Sequence, residues 1–232
     1  MKNLIFINGK SDQGEGLFVN NAKVKIDNCT FVNNYASRGG AIYNSGTLEI
    51  NNSNFISNFA TVYGGAIKNW GPCVINNSRF SDNYCKDTGG AIFNFGEVYI
   101  YITGCVFTNN KADFVGGTIH NVGYLNLNNS IIFNSSSIRS DGGAIQNDIY
   151  GDDIGNAIIN NLTVINSSAL KRGGAIFNNA EQYLNLTNST FINCQAREGN
   201  VLYNIAKLDL YNNLIYDSDN PIYTTGELEE LY

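Results

Sequence analysis

Apolar residues recur two apart along this chain, with a variable residue between them. The pairs are Val24/Ile26, Leu48/Ile50, Cys73/Ile75, Ile100/Ile102, Leu125/Leu127, Ala157/Ile159, Leu184/Leu186 and Leu208/Leu210. The slot between holds Lys25, Glu49, Val74, Tyr101, Asn126, Ile158, Asn185 or Asp209. A period of two predicts a β-strand with one buried face. Five residues after each pair comes another apolar residue. In four copies it is Phe followed three later by Asn: Phe31/Asn34, Phe55/Asn58, Phe80/Asn83 and Phe107/Asn110. Later copies drift to Ile132/Ser135, Val164/Ser167, Phe191/Cys194 and Ile215/Ser218.

A third element separates these. Gly39-Gly40-Ala41-Ile42-Tyr43-Asn44 recurs from Gly64, Gly89, Gly116, Gly142 and Gly173, more weakly from Gly199, and in degenerate form from Glu15 to Asn20. Its fourth position is always aliphatic. Its fifth runs Tyr43, Lys68, Phe93, His120, Gln146, Phe177, Tyr203. A slot that accepts Lys, Gln and His beside aromatics is expected to face outward. The Asn after it is expected to face inward or cap a turn. A second Asn column (Asn28, Asn52, Asn77, Asn129, Asn161, Asn188, Asn212, with Gly104 as exception) marks corners, because Asn and Gly tolerate positive φ.

Repetition at this period signals stacked units that bury their apolar faces against one another. Three short strands joined by Gly/Asn corners account for each unit. At ~3.3 Å per residue a coil of about 25 residues traces roughly 80 Å, and eight or nine coils at ~4.8 Å give a rod about 40 Å long. The pattern therefore predicts an all-β, right-handed parallel β-helix, a pectate-lyase-like solenoid, as a single domain over 1–232. The hand follows from the preference of parallel crossovers. A leucine-rich repeat is the rival at this length, but no segment shows helical spacing and the Gly pairs oppose helix.

The alternating GGAI and FxxN motifs resemble the repeats of chlamydial polymorphic outer membrane proteins, and equally those of adhesin-like proteins of methanogenic archaea. The resemblance covers nearly the whole chain. It implies an extracellular, surface-displayed protein involved in adhesion, with surface glycans or host and cell-surface proteins as partners and no cofactor. The motifs are framework positions, so the resemblance carries over no binding residues. The family's carboxy-terminal barrel or wall anchor is not in this sequence. The chain begins and ends inside a coil, with no secretory signal, and reads as a segment of a longer protein.

Charge narrows the partners. The chain carries 14 Lys and Arg against 20 Asp and Glu, a net −6, with no basic stripe to meet nucleic acid. No apolar run approaches the ~18 residues of a membrane helix. Asn fills about a sixth of the chain, mostly in repeat slots, which marks it as framework rather than a low-complexity tract. Cys29, Cys73, Cys85, Cys105 and Cys194 occupy repeat positions and have no paired spacing, so they read as buried free thiols rather than disulfides or a zinc site.

Candidate chemistry is sparse. An insertion between Asn147 and Ala157 carries Asp148, Asp152 and Asp153, with Asp141 nearby. It reads either as a solvated Asp/Gly turn or as a calcium site, though it lacks the spacing of a dedicated calcium loop. It is also the feature on which a polysaccharide lyase or hydrolase reading would rest. His120, the one histidine, fills an outward slot and forms no Ser-His-Asp arrangement. Arg38 and Arg172 each precede a Gly pair several coils apart. Aromatics are the better ligand-binding candidates: Trp70, Phe93, Phe95, Phe177 and Tyr203, with Tyr35, Phe59 and Tyr84 in a second column. Exposed rings stack on sugars or meet protein partners, or simply brace the sheet surface. N-x-S/T triplets at Asn28, around Asn77 and at Asn161 arise from the Asn column and would accept glycans on export. The expectation is a non-catalytic adhesin-like module, with an enzyme fragment and a ligand-free stalk as alternatives.

Overall fold

The computed structural model describes residues 1–11, 16–150, 153–179, 183–226 and 228–230. They form a parallel β-solenoid of about 8 turns with about 25 residues per turn. Every rung of the stack is parallel and joins equivalent repeat positions: Ile42 pairs with Ile67, Ile67 with Ile92, and Ile92 with Ile119. The degenerate first copy joins from Leu17, which pairs with Ile42; Glu15 lies outside the described residues.

The inward pattern is as the alternation requires. Ile26, Leu48, Ile50, Cys73, Ile75, Ile100, Ile102, Leu125 and Leu127 form one continuous core with the Ile column from Ile42 to Leu202. The FxxN phenylalanines stack face to face down its centre. Centroids lie 4.9 Å apart for Phe31–Phe55, 4.6 Å for Phe55–Phe80 and 4.9 Å for Phe80–Phe107. That is the strand spacing itself, so each ring meets its copy in an offset stack.

The asparagines form ladders. Asn44 Nδ2 donates to Asn69 Oδ1 at 2.7 Å, Asn69 to Asn94 at 2.8 Å, and the relay continues through Asn121, Asn147, Asn178 and Asn204. All seven are fully buried. The FxxN asparagines make a second buried ladder, Asn34–Asn58–Asn83–Asn110. The corner column sits at positive φ, with Asn52 at 50°, Asn77 at 49° and Gly104 at 66°. In each Gly pair the first residue also has positive φ, as at Gly64 (60°). The second has no room for a side chain: a Cβ on Gly65 would lie 2.1 Å from the Gly90 carbonyl oxygen.

Two features differ from the three-strand expectation. A fourth short strand closes the coil, at Tyr35–Arg38, Phe59–Tyr63, Tyr84–Cys85, Lys111–Ala112, Ser136–Ser137 and Ser168–Ala169, and these form their own six-stranded sheet. Elsewhere the glycine element and the alternating pair run on as one strand, as at Ile42–Asn51 and Ile92–Thr103. The insertion folds out as an antiparallel hairpin, Ile149–Tyr150 against Asp153–Ile154. The five cysteines are buried and free, in the slots assigned to them; Cys85 stacks between Ala60 and Ala112.

Candidate functional site

The variable column of the Gly-Gly-Ala-Ile-x-Asn element points away from the core: none of its members belongs to the apolar cluster. It is nevertheless buried, which corrects the expectation of a solvent-facing strip. From Tyr43 to Tyr203 its residues are only 2–9% exposed, Lys68 5% among them. Two columns flank it, and Tyr63, Trp70, Asp148 and Arg172 among them pack against it. One precedes the Gly pairs (Arg38, Tyr63, Thr88, Val115, Asp141, Arg172) and the other follows the ladder Asn (Trp70, Phe95, Val122, Asp148, Asn179). The column is therefore the floor of a groove along the rod.

The groove changes character from coil to coil. Near its start Lys68 Nζ donates to Tyr43 Oη at 2.9 Å and lies 4.1 Å and 4.3 Å from the ring centroids of Tyr43 and Trp70. Phe93, on the next coil, is stacked by Tyr63 at 4.5 Å and by Phe95 at 5.9 Å. Trp70 meets Phe95 edge-on at 5.8 Å and packs on Gly96, where a Cβ would lie 3.1 Å from the indole. Between these rings is a cavity of ≈170 Å³ lined by Arg38, Tyr63, Lys68, Trp70, Phe93 and Phe95. Trp70 stands 51% exposed at its rim. Three candidates from the sequence thus converge, and Lys68, Arg38 and Tyr63 join them. Tyr63 was findable: it occupies the position of Arg38 one coil on.

Midway the floor is polar. His120 abuts Phe93 edge-on at 5.1 Å, and its Nε2 lies 3.6 Å from Asp148 Oδ2. Asp148 also accepts from Gln146 Nε2 at 3.0 Å and Asn179 Nδ2 at 2.7 Å. Burial works against its charge, but the His120 contact and these donors outweigh it and hold the carboxyl at about 2. Asp141 faces elsewhere, with Arg172 Nε at 3.0 Å from Oδ1 and Nη2 at 2.9 Å from Oδ2. Asp152 and the Asp153 side chain lie outside the described residues. Further on, Phe177 and Tyr203 stack at 5.4 Å beneath the Arg172 guanidinium. These two candidates are therefore covered, away from the Trp70 cavity.

Other aromatics lie outside the groove. Tyr35, Phe59 and Tyr84 line the outside of the fourth-strand sheet, with centroids 5.1 and 5.3 Å apart. Tyr84 Oη donates to Asp113 Oδ1 at 2.7 Å; burial first, then that bond, pushes its phenol up to about 12. On another face Tyr99 and Tyr101 stand exposed, and Tyr99 stacks on Tyr124 at 4.6 Å. The sequence places Tyr101 correctly as outward, and Tyr99 precedes it by two on the same strand; Tyr124 joins them from the next coil, a neighbour that only the stacking brings in.

Residues 28–45, which hold one FxxN and one complete GGAI element, match the Chlamydia polymorphic membrane protein repeat. No curated protein and no solved structure matches the chain. Among the described residues no helix is long and apolar enough to cross a membrane.

Proposed function

We propose that this chain, a parallel β-solenoid built on repeats of the Chlamydia polymorphic membrane protein type, is a surface-displayed, adhesin-like module that binds through its groove without catalysis. The observation that carries this reading is the cavity framed by Trp70, Phe93 and Phe95. A rigid rod holds four rings from two coils around a space open to solvent, and aromatic surface left uncovered on a soluble framework is the usual mark of a contact site. The floor beneath it is tied down by stacking and by the Lys68–Tyr43 hydrogen bond, so the site is formed before a ligand arrives.

The non-catalytic part rests on how Asp141 and Asp148 are used, the two candidate carboxylates whose side chains are among the described residues. Asp141 is saturated by Arg172, and Asp148 by Gln146 and Asn179. Acid/base hydrolysis of a glycan needs two carboxyl groups free to face one bond. The test is retention of the purified chain on arrays of glycans and cell-surface proteins, with release of new chain ends scored in parallel. Retention that falls in Trp70→Ala/Phe95→Ala is expected. Retention unaffected by that double change removes the groove from the reading, and turnover overturns the adhesin assignment.

A further inference from the structure

The turns that lead from the fourth strand into each Gly pair form a second surface, at the corner where the chain passes from one sheet to the other. On five successive coils they run 86–88, 113–115, 138–141, 170–172 and 195–198. Backbone bonds stack each turn on its neighbour: Phe114 N donates to Asp87 O, Leu170 N to Ser137 O, Lys171 N to Ser140 O and Arg197 N to Lys171 O. The tips carry the exposed cations Lys86, Arg139, Lys171 and Arg197, with Lys111 on the strand beside them. Their acidic neighbours are mostly withdrawn. Asp113 and Asp141 are buried and bonded to Tyr84 Oη and to the Arg172 fork, and Asp87 is half-buried. Arg139 comes no closer than 3.7 Å to Asp113. Among the described residues of these turns Glu198 is the one exposed carboxylate, and Asp217 and Asp219 close the stretch on the following coil. Three large apolar side chains share the ridge on consecutive coils: Phe114, Ile138 and Leu170, which are 44%, 39% and 45% exposed. Along the sequence these cations lie a coil apart and form no run; stacking assembles them, on a chain of net −6.

We propose that this ridge docks the rod on an anionic lipid bilayer, with its cations at the headgroup phosphates and Phe114, Ile138 and Leu170 in the interface below them. The proposal is independent of the groove reading, since Trp70 and Phe95 stand on the other flank of the groove. Attachment to a membrane surface takes two contributions, apolar area and attraction to anionic lipid, and the ridge supplies both from the same turns. Each Lys or Arg at such a surface strengthens binding about fivefold. The long cationic stems lie along the apolar residues while their heads reach the phosphates. The net charge of the chain does not prevent the approach, because fields fade over about 8–10 Å at physiological salt and the acids of other faces lie farther off. A soluble polyanion such as nucleic acid would use the cations but offers Ile138 and Leu170 no apolar contact. A purely apolar partner would cover those side chains and leave the cations unmatched. Five coils at ~4.8 Å give a straight edge of roughly 20 Å, a projecting shape that suits a broad, yielding surface.

The experiment sediments the full chain with vesicles of phosphatidylcholine alone and of equal parts phosphatidylcholine and phosphatidylglycerol. Binding to the anionic vesicles is expected to be tighter by about tenfold or more, and to weaken as salt rises. Lys171→Glu/Arg197→Glu is expected to lower it by about tenfold or more. Lys23→Glu, a charge reversal on a different face, should change it by less than about twofold. Phe114→Ser/Ile138→Ser/Leu170→Ser should also lower it, by about tenfold, with the salt dependence kept. All these changes replace exposed side chains, and unchanged circular dichroism confirms the fold. Equal binding to the two vesicles, or binding to neither, overturns the proposal. So does a loss in Lys23→Glu as large as in Lys171→Glu/Arg197→Glu, which would report total charge rather than the ridge. A triple Ser variant that binds like the parent, or heparin bound more tightly than the anionic vesicles, assigns the ridge to a soluble polyanion and overturns the bilayer. Trp70→Ala/Phe95→Ala is expected to leave vesicle binding unchanged; a loss there moves the contact to the groove and overturns the ridge.

Discussion

Replacing Asn94 by Ala removes an interior member of the seven-residue buried ladder. Asn94 accepts from Asn69 Nδ2 at 2.8 Å and donates to Asn121 Oδ1 at 2.8 Å, with no exposed surface. Ala breaks both bonds at once and leaves two polar atoms facing an empty volume. A buried donor or acceptor without a partner costs about 1–3 kcal/mol. Asn69 Nδ2 takes the larger share, because it loses its short acceptor. Asn121 Oδ1 keeps a long contact, 3.4 Å, from Gly123 N. Adding the void gives a destabilisation of about 3–5 kcal/mol. Asn94→Asp separates hydrogen bonding from shape. The carboxylate has nearly the same outline but cannot donate to Asn121, and its charge would sit in the core, so it is expected to be at least as harmful as Ala. Urea unfolding followed by circular dichroism measures both variants, with the slope checked so that midpoints are comparable. A loss below about 1 kcal/mol for Ala, or an Asp variant equal to the parent, would refute the ladder as a source of stability.

Lys68→Ala should cost about 2 kcal/mol in the same assay, since it strips cation–π contacts with Tyr43 and Trp70 and the donor to Tyr43 Oη; a change under about 0.5 kcal/mol would mean the side chain behaves as surface. Asp148 ionises at about 2 in the folded protein against an ordinary 3.8, so its contribution, about 2 kcal/mol, is complete above the unfolded value and lost as pH falls through the folded one. The stability gap between parent and Asp148→Asn should therefore be constant near neutrality and shrink from about pH 4 towards about pH 2; a gap independent of pH in that window contradicts the carboxylate's role. Burial pushes the Cys85 thiol up to about 12 and those of Cys105 and Cys194 up to about 11, so a thiol reagent should label them only after denaturant is added, and rapid labelling of the native protein would show that the coils open.

The framework was legible because each column repeats. Period two at Leu48/Ile50, the Phe31–Phe107 stack and the Asn44–Asn204 ladder are all consequences of one residue choice copied every coil. The fourth strand left no such trace. Only one of its residues faces inward, Ala36, Ala60, Cys85 or Ala112, and a two-residue strand such as Tyr84–Cys85 has no period to detect. Burial of the Tyr43–Tyr203 column was hidden for another reason. Alternation reports whether a side chain enters the core, not what the neighbouring columns lay over it. The cavity is legible only in part. Trp70 and Phe95 announce themselves as large rings beside the ladder, but Tyr63 and Arg38 acquire meaning only when coils are superposed.

The inter-coil bonds also fix how the rod would answer to force. Backbone rungs such as Ala66 N to Ala91 O, and the Asn ladders beside them, point from one coil to the next. Tension between the two ends of the chain therefore loads them head-on, and the outermost coil must yield before the next one feels the load. Peeling releases about 25 residues, roughly 80 Å of slack, per event. Such a rod dissipates a pull in small equal steps, while resisting a sideways push with whole sheets of covalent backbone.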